Sequence, residues 1–213
     1  LTLSAIDRVS SQSVFSLDRM EHDAKIGLLG RVARSATKPG QLADPEHPVS
    51  ILSLAAASYG ARPEDDATVP TGFDPVAVAL FESIVEGAYL VAAADGVVDE
   101  EERQTFEHVV VTACGGAVAP QQIAELVGDL ADQLTEDGVD RRVSMLARQV
   151  TKRDHALEIV RIGALLAEAS NGVGAEERVV LGKIAAALKL EDGAVDAALN
   201  DVKEAIEAAS HGG

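Results

Sequence analysis

Two stretches of this chain follow one plan. Residues 86–103 read EGAYLVAAADGVVDEEER, and residues 162–178 read IGALLAEASNGVGAEER. With a shift of 76 residues, Gly87 falls on Gly163, Ala88 on Ala164, Leu90 on Leu166, Ala93 on Ala169 and Gly96 on Gly172. Past the loop the best shift is 75, which sets Glu101-Glu102-Arg103 on Glu176-Glu177-Arg178, Phe106 on Leu181 and Val109 on Ile184. Each copy reads as an apolar helix, a glycine corner, an acidic helix start and an amphipathic helix. A duplicated helical hairpin accounts for this, with the two apolar helices side by side at the centre and pseudo-twofold symmetry between the copies.

Composition agrees with a helical core. Of 213 residues, 47% are apolar but only 3% aromatic, and Trp is absent. Ala, Val and Leu dominate, a mixture that suits closely packed helices better than a β-sandwich. The net charge is −17. Phosphate backbones need Lys and Arg, so nucleic acid is not an expected ligand. Adsorption by charge to an anionic membrane surface is disfavoured too. Cations and basic protein surfaces are the complementary partners. The single cysteine, Cys114, excludes an internal disulfide or a cysteine-rich zinc site and points to the cytoplasm. The longest apolar stretch, Pro75 to Ala94, carries Glu82 and Glu86, so no membrane span is expected.

The signals change near residue 72. Residues 1–72 hold seven Lys/Arg and nine Asp/Glu, and residues 73–213 hold 11 and 26. The first segment reads as a partly helical N-terminal extension that packs on the main domain or on a partner. VFSLDRMEHDAKIGLLGRVARSA has the pattern of an amphipathic helix, with Phe15, Met20, Ile26, Leu28 and Leu29 as its apolar surface. VSILSLAAASYG is a short apolar segment between turn-rich stretches. Residues 73–213 form the main all-α domain, a bundle of about seven helices. Asp74-Pro75 is a helix start, with Asp as N-cap and Pro at the first position. That helix runs to about Ala94 and is apolar almost all round, as a buried central helix should be. Further helices are expected after Asp99, burying Phe106, Val109, Val110 and Ala113, and over about 120–135, 140–150, 153–170, 175–188 and 194–209.

The acidic corner between the first two helices of this domain has two readings. In one, Gly96 sits just past the helix end at C′ in a left-handed conformation, and Val97 or Val98 closes the corner. Asp99 is then the next N-cap and Glu102 completes a capping box, with Glu100 and Glu101 in the first turn. In the other, Asp95, Asp99 and Glu102 converge on a hard cation such as Ca²⁺ or Mg²⁺. Asp95-Gly96 and Glu102 match the second half of an EF-hand loop. Val91 and Ala93, which have no ligating atoms, stand at its first and third positions, so a true EF-hand is rejected. In the second copy Glu168, Asn171, Glu176 and Glu177 are the available oxygens, and a simple helix corner is the favoured account.

The AADGVVDEEE stretch, the apolar helix before it and the weaker second copy resemble the TerB-like domain of tellurite-resistance and stress-response systems. LLAEASNGVGAEERVVLGKIAAALKL resembles the second motif of that family and the helix after it. The resemblance covers residues 73–208. It implies an all-helical cytoplasmic module, peripheral to the inner membrane through a membrane-embedded partner of the same stress system. It also implies a divalent cation held by Asp95, Asp99 and Glu102. The second copy departs from the pattern: Asn171 replaces Asp, the loop is shorter, and Gly174 replaces the capping Ser or Asp. Glu168, Asn171 and Glu177 are therefore the weaker candidate site.

No catalytic constellation is present. His22, His47, His108, His155 and His211 show no metal-ligand spacing. ACGGAV lacks the Lys of a phosphate loop, and Cys114 at a helix end reads as buried and inert. The basic cluster Arg141, Arg142, Arg148, Lys152 and Arg153 could meet acids of the same domain or a partner's acidic tail, and a solvated face is the favoured reading. The expectation is a non-enzymatic TerB-like module that binds a divalent cation, protein partners or both through its acidic loops. The alternative is an assembly protein on the same fold, with residues 1–72 mediating self-association and no metal.

Overall fold

The computed structural model describes residues 23–35, 50–61, 74–96, 98–170 and 172–211. All regular structure among these residues is helical: α1 over 23–34, α2 (Ile51–Gly60), α3 (Pro75–Ala92), α4 (Glu100–Ala113), α5 (Pro120–Asp137), α6 (Val139–Gln149), α7 (Arg153–Ser170), α8 (Ala175–Ala187) and α9 (Ala194–His211). The seven helices expected from residue 73 onward are α3–α9, with ends within two residues of the sequence reading. Phe15 and Met20 of the expected N-terminal helix lie outside the described residues.

α3 begins as its sequence dictates. The Asp74 carboxylate accepts the Val76 N–H at 2.9 Å, and Pro75 occupies the first turn, where its missing N–H costs nothing. The helix then buries Phe81, Ile84, Val85, Ala88, Leu90 and Val91. Its most extensive partner is α7, which buries Ala156, Ile159, Val160, Ile162, Ala164 and Leu165. The two central helices approach closely because each has a glycine at the crossing. A Cβ on Gly87 would fall 2.5 Å from Ile159 Cγ2. A Cβ on Gly163 would fall 3.3 Å from Val91 Cγ2 and 3.9 Å from the Gly87 carbonyl oxygen. Gly87 meets Ile159 and Val91 meets Gly163, so the order of contacts runs the same way along both helices.

The other helices wrap this pair. α2 lies on α3, α9 on α7, and α8 touches α3, α6 and α7. α4 and α5 form an antiparallel corner, and α4 buries the expected Phe106, Val109, Val110 and Ala113. α1 and α2 share the same core: Ile26, Leu29, Val32 and Ala33 from one, and Leu52, Ala55, Ala56 and Tyr59 from the other, are buried in it. Tyr59 packs on Phe81 with ring centroids 4.6 Å apart. α3 is long and apolar enough to cross a membrane by length and composition, and in this fold it is the buried centre of the bundle.

A buried charge explains the acid inside α3. Glu86 is 6% exposed and meets Arg142 of α6, whose Nε lies 2.8 Å from Oε1. Asp137 receives Arg142 Nη1 at 3.3 Å. Burial pushes the Glu86 carboxyl above its ordinary pKa, and Arg142 pulls it back. The reading of the basic cluster as a solvated face is therefore corrected at Arg142, which is 7% exposed and fixes α6 to α3. Arg141 pairs with Asp137 and Arg153 with Glu191 on the surface.

The glycine crossing makes a paired prediction. Gly87→Ala gains up to about 1 kcal/mol of helix propensity but drives a methyl into Ile159, and the overpacking dominates. A net loss of about 1–2 kcal/mol in chemical denaturation is expected. Gly182→Ala in α8, where a Cβ meets nothing within 4 Å, raises stability instead, by up to about 1 kcal/mol.

Candidate functional site

α3 and α7 end at the two acidic corners. α3 stops at Ala92, and Ala93 is its C-cap, donating its N–H to the Tyr89 carbonyl at 2.9 Å. The chain tightens further as Ala94 N–H reaches the Val91 carbonyl and Gly96 N–H reaches Ala93. Gly96 adopts φ +135°, but it sits beyond this extra turn rather than at C′. Val98 packs against the core and closes the corner. Val97 lies outside the described residues.

The capping box expected at α4 is formed in full. One Asp99 carboxylate oxygen accepts the N–H groups of Glu101 and Glu102, both at 2.9 Å, and Glu102 Oε2 accepts the Asp99 N–H at 2.9 Å. Glu100 is held by Arg103 at 2.7 Å, and Arg103 also reaches Glu107 at 2.7 Å. Hydrogen bonds from Arg103 and Gln104 lower the Glu100 pKa. Asp99 and Glu102 thus meet each other through the backbone of the helix start.

The second corner keeps half of this device. Gly172 turns with φ +89°, and Gly174 stands at the N-cap of α8 in an extended conformation. Having no side chain, Gly174 cannot cap, yet Glu177 Oε2 still accepts its N–H at 2.7 Å. Glu168 directs its carboxylate toward Gly172. Asn171 lies outside the described residues.

The geometry brings together acids that the sequence reading kept in separate sites. The Glu177 carboxyl is pushed above its ordinary pKa, first by burial, against the opposing Gly174 hydrogen bond, and then by the negative charges of Asp95, Glu168 and Glu176. Asp95 belongs to the other copy of the repeat. Its charge reaches Glu177 because α3 and α7 run the same way out of their crossing and deliver both corners to one end of the bundle. No ion pair among the described residues neutralises Asp95, Glu168, Glu176 or Glu177. Nor, among those residues, do three His, Cys, Asp or Glu side chains converge as they stand into a set that could hold a metal ion. Besides the Glu101 carboxylate and the second oxygens of Asp99 and Glu102, the acids outside the α4 cap are Asp95 and those of the second corner. The signal for this pairing was the alignment of Gly87 with Gly163, which sets the two helices in register.

The lone thiol is inert. Cys114 is buried, and burial pushes its pKa up to about 12.

Glu177 gives the corner a pH signature. Its folded-state pKa is raised, so the folded chain holds the proton more tightly than the unfolded chain. The stabilisation from this proton is fully present below the ordinary value of 4.5 and is lost as pH rises through the raised value. Glu177→Gln keeps an oxygen for the Gly174 N–H and removes the charge. The variant should be the more stable at pH 7, and its advantage should shrink as pH falls toward 4.5, read from melting temperatures of both proteins across that range.

Comparison with known proteins places the chain. No curated protein and no solved structure matches it. Residues 83–200, from within α3 to within α9, match the family model described as Tellurite resistance protein TerB. This span exceeds half of the chain and contains the C-terminal part of α3, all of α7 and both acidic corners, so the chain belongs to the TerB family.

Proposed function

We propose that this protein is a non-catalytic binding module of a bacterial tellurite-resistance or stress-response system, and that its paired acidic corners receive positive charge. The preferred ligand is a divalent cation, Ca²⁺ or Mg²⁺, bound through carboxylates contributed by both copies of the repeat. The observation that carries this reading is that Asp95, Glu168 and Glu176 bring their negative charge to Glu177 at one end of the bundle, with no basic side chain of the described residues paired to them. Like charges held together by a rigid helix crossing disfavour one another, and a hard cation relieves that repulsion. Asp95, Glu168 and Glu177 would supply the oxygens, while Asp99 and Glu102 would keep α4 capped. Neutralising the corner would change which surface a protein partner can meet, including a membrane-embedded component of the same system.

The alternative, an assembly protein using residues 1–72, draws less support. Most of the described apolar side chains of α1 and α2 face the chain's own core, with Leu54 of α2 exposed.

Calorimetry of the full chain with CaCl₂ and MgCl₂ at fixed ionic strength tests the proposal. Fixed salt matters because any cation screens so acidic a chain. Saturable binding at roughly one ion per chain, lost in Asp95→Asn and in Glu168→Gln but retained in Glu101→Gln, is the expected result. At a hundredfold excess over Kd the ion should stabilise the fold by about 2.7 kcal/mol. An absence of heat, or weak binding shared by all three variants, would sink the cation reading and leave a basic protein segment as the ligand to seek.

A further inference from the structure

We propose that α1 and α2 form a cover that opens as one unit, latched to α7 by the buried pair Glu158 and Arg161. Both latch residues are nearly inaccessible, at 3% and 5% exposure. Arg161 binds Glu158 through Nε at 2.7 Å and Nη2 at 2.9 Å. Its remaining reach is to the cover: Nη2 donates to the Ala33 carbonyl at 2.9 Å and Nη1 to the Val32 carbonyl at 3.3 Å. Glu158 Oε1 accepts the Leu52 N–H at 3.1 Å. The guanidinium thus meets the carbonyl end of α1 and the carboxylate meets the amide end of α2. Each charge has the sign that its helix end favours. The Val32 carbonyl also accepts from the Ser35 N–H and hydroxyl.

Three features make the cover a separable unit. α2 has 10 residues, and a helix of that length is marginal in water when undocked. Undocking of α2 is therefore also its unfolding. Secondly, the latch is asymmetric. Glu158 and Arg161 lie three residues apart on α7 and stay together when the cover leaves, while the groups they release are backbone atoms that water can serve. Opening strands no charge. Parting α3 from α6 would instead separate Glu86 from Arg142, a costly step. Thirdly, both latch residues fall inside the family-matched span 83–200 and the cover falls outside it.

The face beneath holds Phe81 of α3, the Glu158–Arg161 turn of α7 and the α4–α5 corner. The cover fits it closely: Arg34 donates to the Thr112 carbonyl, and a Cβ on Gly60 would overlap the Ala117 carbonyl. In the closed state this face is filled by the chain's own α1–α2 pair. Opening turns it into an apolar surface with a charge pair at its centre.

Native-state hydrogen exchange on the full chain, followed at rising sub-denaturing concentrations of denaturant, tests this. Amides of α1 and α2 should exchange through one shared opening that lies below the global transition carried by α3 and α7. Arg161→Met should speed exchange in α1 and α2 by about tenfold or more while changing α5 and α6 much less. The proposal is overturned if the wild-type α1 and α2 amides exchange only with global unfolding, if the two helices open independently, or if Arg161→Met accelerates every helix equally. The wild-type measurement decides the matter even if the variant fails to fold.

Discussion

The close crossing of α3 and α7 sets most of what this molecule is. Two helices meet where Gly87 lies under Ile159 and Gly163 lies under Val91. Missing side chains at these points let the backbones approach, and the approach fixes the relative height of the two helices. That height places the C-terminal ends of both at the same end of the bundle. The acidic corners are neighbours for this reason. Asp95 and Glu177 lie 82 positions apart in sequence, and the charge of the first then helps to raise the pKa of the second.

The same crossing decides which acids are structural and which are left over. Each corner must start a new helix at once, and the amide end of a helix asks for an oxygen. Asp99 and Glu102 answer that need in the first copy, and Glu177 answers part of it in the second. Negative charge here is favoured locally by the helix ends and disfavoured globally by the facing corner. Asp95 and Glu168 cap nothing among the described residues, so only the disfavoured half applies to them. A corner built this way holds more negative charge than its own fold requires.

Much of the helical plan was legible in the sequence because its signals are local. Asp74-Pro75 and the Asp99–Glu102 spacing each specify a helix start by short-range chemistry, and both starts are found where they were read. The repeat announced the central pair. Gly96 was misplaced by a few residues because three alanines and Asp95 allow an extra tight turn before the glycine is needed. The acids of the corners were legible residue by residue, but their surroundings were not. One oxygen each of Asp99 and Glu102 serves the α4 cap, and the charge of Asp95 reaches Glu177 of another helix. Buried charges were the other blind spot. Glu86 within an apolar run was read only as a charge unsuited to a membrane span, and nothing local identified Arg142, 56 positions away.

Those buried charges also answer a difficulty that the repeat creates. Two similar central helices offer two similar surfaces, and outer helices matched only by apolar contact would find either surface acceptable. The copies differ where it matters. Ile162 stands at the position equivalent to Glu86, and Val85 at the position equivalent to Arg161, and both apolar residues are buried. Packing α6 against the wrong copy would leave Arg142 facing Ile162 and Glu86 without its partner. Packing α1 against the wrong copy would leave its carbonyl end facing Val85 instead of a guanidinium. A buried charge deprived of its partner costs roughly 3–5 kcal/mol, comparable to the whole stability margin of a small domain. Each exchange is therefore excluded by a specific unmet charge or helix end, and the pseudo-symmetric core accepts its outer helices in one arrangement.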